Sequence, residues 1–84
     1  MVPEERLPIE RELRLHLHAL EPTARAELVR VLTMSRGKRA RRIGALYQVP
    51  MLQTSAELLM DIEDDPAARA AVLAELRMME REDG

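Results

Sequence analysis

Asp61-Ile62-Glu63-Asp64-Asp65-Pro66-Ala67-Ala68-Arg69-Ala70-Ala71-Val72-Leu73-Ala74-Glu75-Leu76-Arg77-Met78-Met79 is the stretch on which the fold turns. Its acidic run closes one helix, and Asp65-Pro66 starts another. An acid suits the N-cap, where its oxygen can accept a free backbone amide, and proline suits the first helical position, where no amide hydrogen is required. Beyond the proline, Ala68, Val72, Leu76 and Met79 recur at steps of four and three, the period of one helix face. The pattern runs out near Glu82-Asp83-Gly84, where fraying is expected.

The same reading extends towards the N-terminus. Thr54-Ser55-Ala56-Glu57 has the spacing of a capping box and predicts the start of a helix carrying Leu58, Leu59 and Ile62. Before it, residues 38–48 form a shorter helix with Ala40, Ile43, Gly44 and Tyr47 on one side, closed by Val49-Pro50. Residues 22–35 form another, with Ala24, Leu28, Val31, Leu32 and Ser35 inward and Ser35-Arg36-Gly37 as its stop. A first helix begins near Pro8, places Ile9, Leu13, Leu17 and Leu20 on one face with His16 between them, and ends at Glu21-Pro22. Leu15 falls off that stripe. Nothing reads as a strand. The expected fold is all-α, a single domain over residues 1–84, with about five short helices arranged as two hairpins joined by the basic third helix.

Composition agrees with this class. Of 84 residues, 46% are hydrophobic and 33% charged, which suits a globular chain rather than a disordered one. Leu, Ala and Met favour helices, whereas strand-forming aromatics are reduced to Tyr47 alone. No apolar run reaches the roughly 18 residues of a membrane span. The charged start Met1-Val2-Pro3-Glu4-Glu5-Arg6 does not read as an export signal, and there is no cysteine. A cytoplasmic protein without membrane attachment is the expectation. So small a core gives marginal stability, which makes self-association reasonable.

Glu21-Pro22-Thr23-Ala24-Arg25-Ala26 has a counterpart 44 residues later in Asp65-Pro66-Ala67-Ala68-Arg69-Ala70, with Leu32 and Met34 aligned to Leu76 and Met78. An acid-proline turn at this period resembles a HEAT-type helical hairpin. The likeness covers about fourteen residues per copy, and stacked solenoids need at least three copies. Helix-start chemistry in an alanine- and arginine-rich chain produces such matches as well, and no family is assigned on it.

Arg36, Lys38, Arg39, Arg41 and Arg42 put five positive charges into seven residues. Residues 1–53 hold ten basic and six acidic side chains, residues 54–84 three and nine, against a net charge of -2. The cluster can be a solvated face, a contact for an acidic protein surface, or a grip on phosphates. For the last, residues 36–55 thread onto a helix-turn-helix, with Arg39, Arg41 and Arg42 on the backbone and Gln53, Thr54 and Ser55 towards base edges. Against it, the would-be recognition helix runs into Glu57, Asp61, Glu63, Asp64 and Asp65, which phosphates repel.

Chemistry of other kinds has little support. His16 and His18 lie two apart on a helix and point about 200° away from each other, so no metal is expected there. Asp61, Glu63, Asp64 and Asp65 lack the glycine and terminal glutamate of a calcium loop; these acids call for a basic neighbour, with Arg69 or the Arg39–Arg42 face as candidates. No nucleophile arrangement, phosphate loop or cofactor motif occurs, so neither an enzyme, a cofactor nor a small-molecule substrate is expected. Apolar side chains exceed what the core stripes use. Leu15, Met60, Leu73 and Met78, with Arg36–Arg42 setting orientation, are the expected surface for another protein or a second copy.

Overall fold

The structure is a computed structural model that describes residues 11–83. Five α-helices follow in order: α1 (Arg11–Ala19), α2 (Pro22–Leu32), α3 (Arg36–Tyr47), α4 (Gln53–Ile62) and α5 (Pro66–Asp83), with a 3₁₀ turn over Pro50–Leu52 ahead of α4. No strand occurs among the described residues, and none of their helices is long and apolar enough to cross a membrane. The expected start at Pro8, the Ile9 contact and the C-terminal Gly84 lie outside the described residues.

Proline sets two of the helix starts as anticipated. Pro22 and Pro66 each open a helix, and Asp65 Oδ1 accepts the Ala68 amide at 3.1 Å, the N-cap bond that was expected. The end of α1 is closed from the next helix. Arg25 Nη1 donates to the Leu20 carbonyl at 3.1 Å and to that of His18 at 3.4 Å, taking up oxygens that have no partner within α1.

Three local expectations are corrected. The stop at Ser35-Arg36-Gly37 is instead a start: α2 ends at Leu32, Ser35 is the N-cap of α3, and Gly37 lies in the first turn of that helix. Thr33 Oγ1 donates to the Arg30 carbonyl at 2.8 Å at the end of α2, so the chain turns three residues earlier than glycine suggested. The capping box at Thr54 and Glu57 does not form. The 3₁₀ turn runs directly into α4, which begins at Gln53 without a side-chain cap, so Thr54 is already inside the helix. Finally, the basic third helix is no connector between hairpins. Its most extensive packing is against α4.

All five helices feed one core. Leu17, Leu28, Val31, Ile43, Leu46, Ala56, Leu59, Ile62, Val72, Leu76 and Met79 are buried together. The α2 and α5 stripes fall largely as their periodicity requires, with Ala24, Leu28, Val31, Val72, Leu76 and Met79 inward. On α3 the stripe is different. The expected inner face was Ala40, Ile43, Gly44 and Tyr47, but the buried set is Arg39, Ile43 and Leu46. At 100° per residue the helix is rolled by roughly 80° from the expected orientation.

Candidate docking site

Arg39 explains the roll. Its guanidinium forms a forked pair with Glu63, from Nε to Oε1 at 3.0 Å and from Nη2 to Oε2 at 2.8 Å, while Nη1 donates to the Met34 carbonyl at 2.9 Å. Two parallel bonds to one carboxylate are the geometry that guanidinium suits best. The Arg39 stem is drawn into the core edge and takes the place that sequence periodicity assigned to an apolar residue. The Arg39 hydrogen bond, opposed by burial and helped by the charges of Arg39, Arg69 and Arg36, holds the Glu63 carboxyl below its usual range. The same hydrogen bond raises the Arg39 guanidinium. Arg69 Nη1 also donates to the Glu63 backbone carbonyl. The acidic turn thus has both of its anticipated basic neighbours.

Arg42 faces α2 and bonds Glu27 with Nη2 at 2.9 Å from Oε1 and 3.1 Å from Oε2. Two members of the basic cluster are therefore intramolecular. Arg36, Lys38 and Arg41 remain exposed, and none of them forms an ion pair among the described residues.

The roll of α3 opens a groove between α3 and α4. It encloses 760 Å³ and is lined by Arg36, Ala40, Ile43, Gly44, Tyr47 and Gln48 from α3 and its end, and by Met60, Glu63 and Asp64 from α4 and its end. Its floor is low because Ala40 and Gly44 stand one helical turn apart, and a Cβ at Gly44 would meet nothing within 4 Å. Tyr47 and Met60, 41% and 49% exposed, form apolar sides. The Arg39–Glu63 pair joins the beginning of α3 to the end of α4, so the two helices run antiparallel along the groove. Helical angles place Arg41 on the α3 border beyond Gln48, and Glu57 and Asp61 on the α4 border beside Asp64; all of these charges are exposed.

The other residues singled out from sequence are dispersed. Met78 is 46% exposed and lines a shallow hollow on α5 with half-buried Leu73, Ala70, Ala74, Arg77 and Arg81, separate from the groove. Leu15, 63% exposed, stands on α1 and lines neither. Of the four apolar residues, only Met60 belongs to the groove. Gln53 and Thr54 are on the surface, but Ser55 is 1% exposed, so it does not face outward as the helix-turn-helix threading requires. Its Oγ has no hydrogen-bond partner among the described residues.

Sequence reasoning missed Ala40, Gly44 and Tyr47 as surface residues because it counted them as core. One signal for them was present: a small-residue pair at i,i+4 beside the only aromatic side chain. Glu75 was missed as well. It accepts a hydrogen bond on α5 from His18 Nε2 at 3.2 Å, forms an ion pair with Arg14 Nε at 3.5 Å, and ties α1 to the bundle. No group of three or more His, Asp or Glu side chains stands where it could hold a metal ion among the described residues. No known protein family, curated protein or solved structure matches the chain.

Proposed function

We propose that this chain is a small non-enzymatic interaction module, a subunit, adaptor or inhibitor of a larger assembly acting in the cytoplasm, and that it docks a partner protein along the α3–α4 groove. The observation that carries this reading is the groove's build. Small residues form its floor, a tyrosine and a methionine stand half-exposed along it, and charges border it on both sides. Small side chains let a second helix approach closely, to the 8–10 Å axis separation of packed helices. Tyrosine is among the residues that anchor interfaces, and methionine adapts to an irregular partner surface.

A nucleic-acid role is the reading to test against it. Arg36, Lys38 and Arg41 are available to phosphates, but Arg39 and Arg42 are engaged within the fold and acids border α4. Light scattering of the purified chain with a short random DNA duplex at low salt separates the two. The interaction module predicts no added mass. A salt-sensitive increase that disappears on changing Arg36, Lys38 and Arg41 to Ala would replace it with the nucleic-acid reading.

A further inference from the structure

Charge is not distributed evenly about the groove, and that asymmetry identifies what fits it. The outer α3 border is basic at Arg41, while Arg36, about 140° round the helix from it, lies on the groove wall and acts on Glu63 of its own chain; the α4 border is acidic, with Asp61 and Asp64 and then Glu57. Arg36, Arg41, Asp61 and Asp64 form no ion pair among the described residues. A rotation of 180° about an axis lying along the groove carries the basic border of one molecule over the acidic border of another. The surface is then its own complement. An axis across the groove would instead set arginine against arginine.

The levels also agree. Taking Arg39 and Glu63 as one level, as their forked bond requires, and 1.5 Å of rise per residue, Arg41 and Asp61 fall at the same height. Glu57 lies further along, beside the uncharged half of α3. We infer that the groove is occupied by a second copy of this chain, related by a two-fold axis parallel to α3, so that α3 and α4 of each molecule build a four-helix bundle across the interface. Arg41 of each copy faces Asp61 of the other, while Ala40, Gly44, Tyr47 and Met60 close the centre.

The apolar centre supplies most of the affinity. Exposed ion pairs contribute at most about 1 kcal/mol each but select the orientation. An interface one helical hairpin wide is roughly 18 Å long at this rise per residue.

This assignment rests on the docking reading above, and the test separates the two. Sedimentation of the full chain between about 1 and 500 μM should show a monomer–dimer equilibrium. Gly44→Gln, whose side chain enters open space in the monomer but fills the floor, should weaken dimerisation at least tenfold while thermal unfolding of the monomer stays intact. Arg41→Glu should weaken dimerisation, as should Asp61→Lys. An equimolar mixture of these two variants should form a heterodimer, since each basic residue again meets an acidic one. A mixture that stays monomeric, or a wild-type dimer that Gly44→Gln leaves unchanged, overturns the second-copy assignment. A wild-type chain that is monomeric at 500 μM overturns it too; site-specific crosslinking from Tyr47 to a different protein would then preserve the docking reading alone, and DNA binding in the scattering experiment would remove both.

Discussion

On the inward side of α3, Arg39 and Arg42 reach Glu63 and Glu27, and Ile43 and Leu46 enter the core. On its outward side, Arg36 lines a groove floored by Ala40 and Gly44, and Arg41 stands exposed beyond its rim. The helix uses one residue type for two ends. Arginine facing the bundle fastens neighbouring helices; Arg41, facing away, has no ion-pair partner among the described residues. A charge cluster read as one block from the sequence is therefore two sets of residues with different work, and the difference comes from where each falls on the helical circumference rather than from any property of the cluster. The groove exists because of the inward set: the forked Arg39–Glu63 pair rolls α3 so that Ala40, Gly44 and Tyr47 face out.

The largest expected difference between the two sides is in stability. Ile43→Ala should lower the unfolding free energy in urea by about 2–5 kcal/mol, through lost burial and the cavity left behind. Tyr47→Ala on the outer side should change it by about 0.5 kcal/mol or less. Equal losses at the two positions would mean that the roll of α3 is misassigned.

Next comes the forked pair. Arg39→Ala leaves the Glu63 carboxylate without its main partner and should lower the Tm by roughly 5–10 °C. Arg39→Lys should recover less than half of that, because an ammonium cannot form the fork. The pH dependence has a definite sign. The folded-state pKa of Glu63 lies below its ordinary value of 4.5, so the pair's contribution is fully present above pH 4.5 and is lost as the pH falls through the lower folded value. Urea melts between pH 3 and 7 should show the wild type losing stability on the acid side more steeply than Glu63→Gln.

Ser55 sharpens the comparison from α4, where a polar group faces inward without a partner. Its Oγ is buried and has no hydrogen-bond partner among the described residues, so Ser55→Ala should raise stability by about 1 kcal/mol, from removed desolvation and better helix propensity. A loss on this change would show that the hydroxyl has a bonded partner in solution.

The smallest effects separate the arginines themselves. Arg42→Ala breaks a partly exposed pair with Glu27 and should lower stability by about 0.2–1 kcal/mol. Arg41→Ala should leave monomer stability within about 0.3 kcal/mol of wild type and weaken only the dimer, read by sedimentation. If Arg41→Ala unfolds the chain as much as Arg42→Ala, the distinction between the two sides of α3 fails.

The all-helical class, two proline starts, the Asp65 cap and the stripes of α2 and α5 were legible because each depends on residues a few positions apart. Helix period and cap chemistry are local, and local rules act before any tertiary contact is made. The errors fell where a second element competed. Ser35-Arg36-Gly37 contains a usual helix stop, yet α3 starts there and places Gly37 within its first turn. Thr54 and Glu57 have the spacing of a box, but the 3₁₀ turn had already begun the helix before them. The docking residues were half legible: Met60 and the basic cluster were singled out, whereas Ala40, Gly44 and Tyr47 were assigned to the core.

The sequence by itself determined how many helices form, where most of them begin, and which faces of α2 and α5 turn inward, since backbone hydrogen bonding and the 3.6-residue period depend only on near neighbours. Tertiary structure alone decided the rotation of α3. That choice depends on Glu63, 24 positions away in the chain, and on the stronger geometry of a forked guanidinium–carboxylate pair over burial of a small apolar stripe. Ala40 and Gly44 offer little area to bury, so the ion pair together with burial of Leu46 decides which way the helix faces.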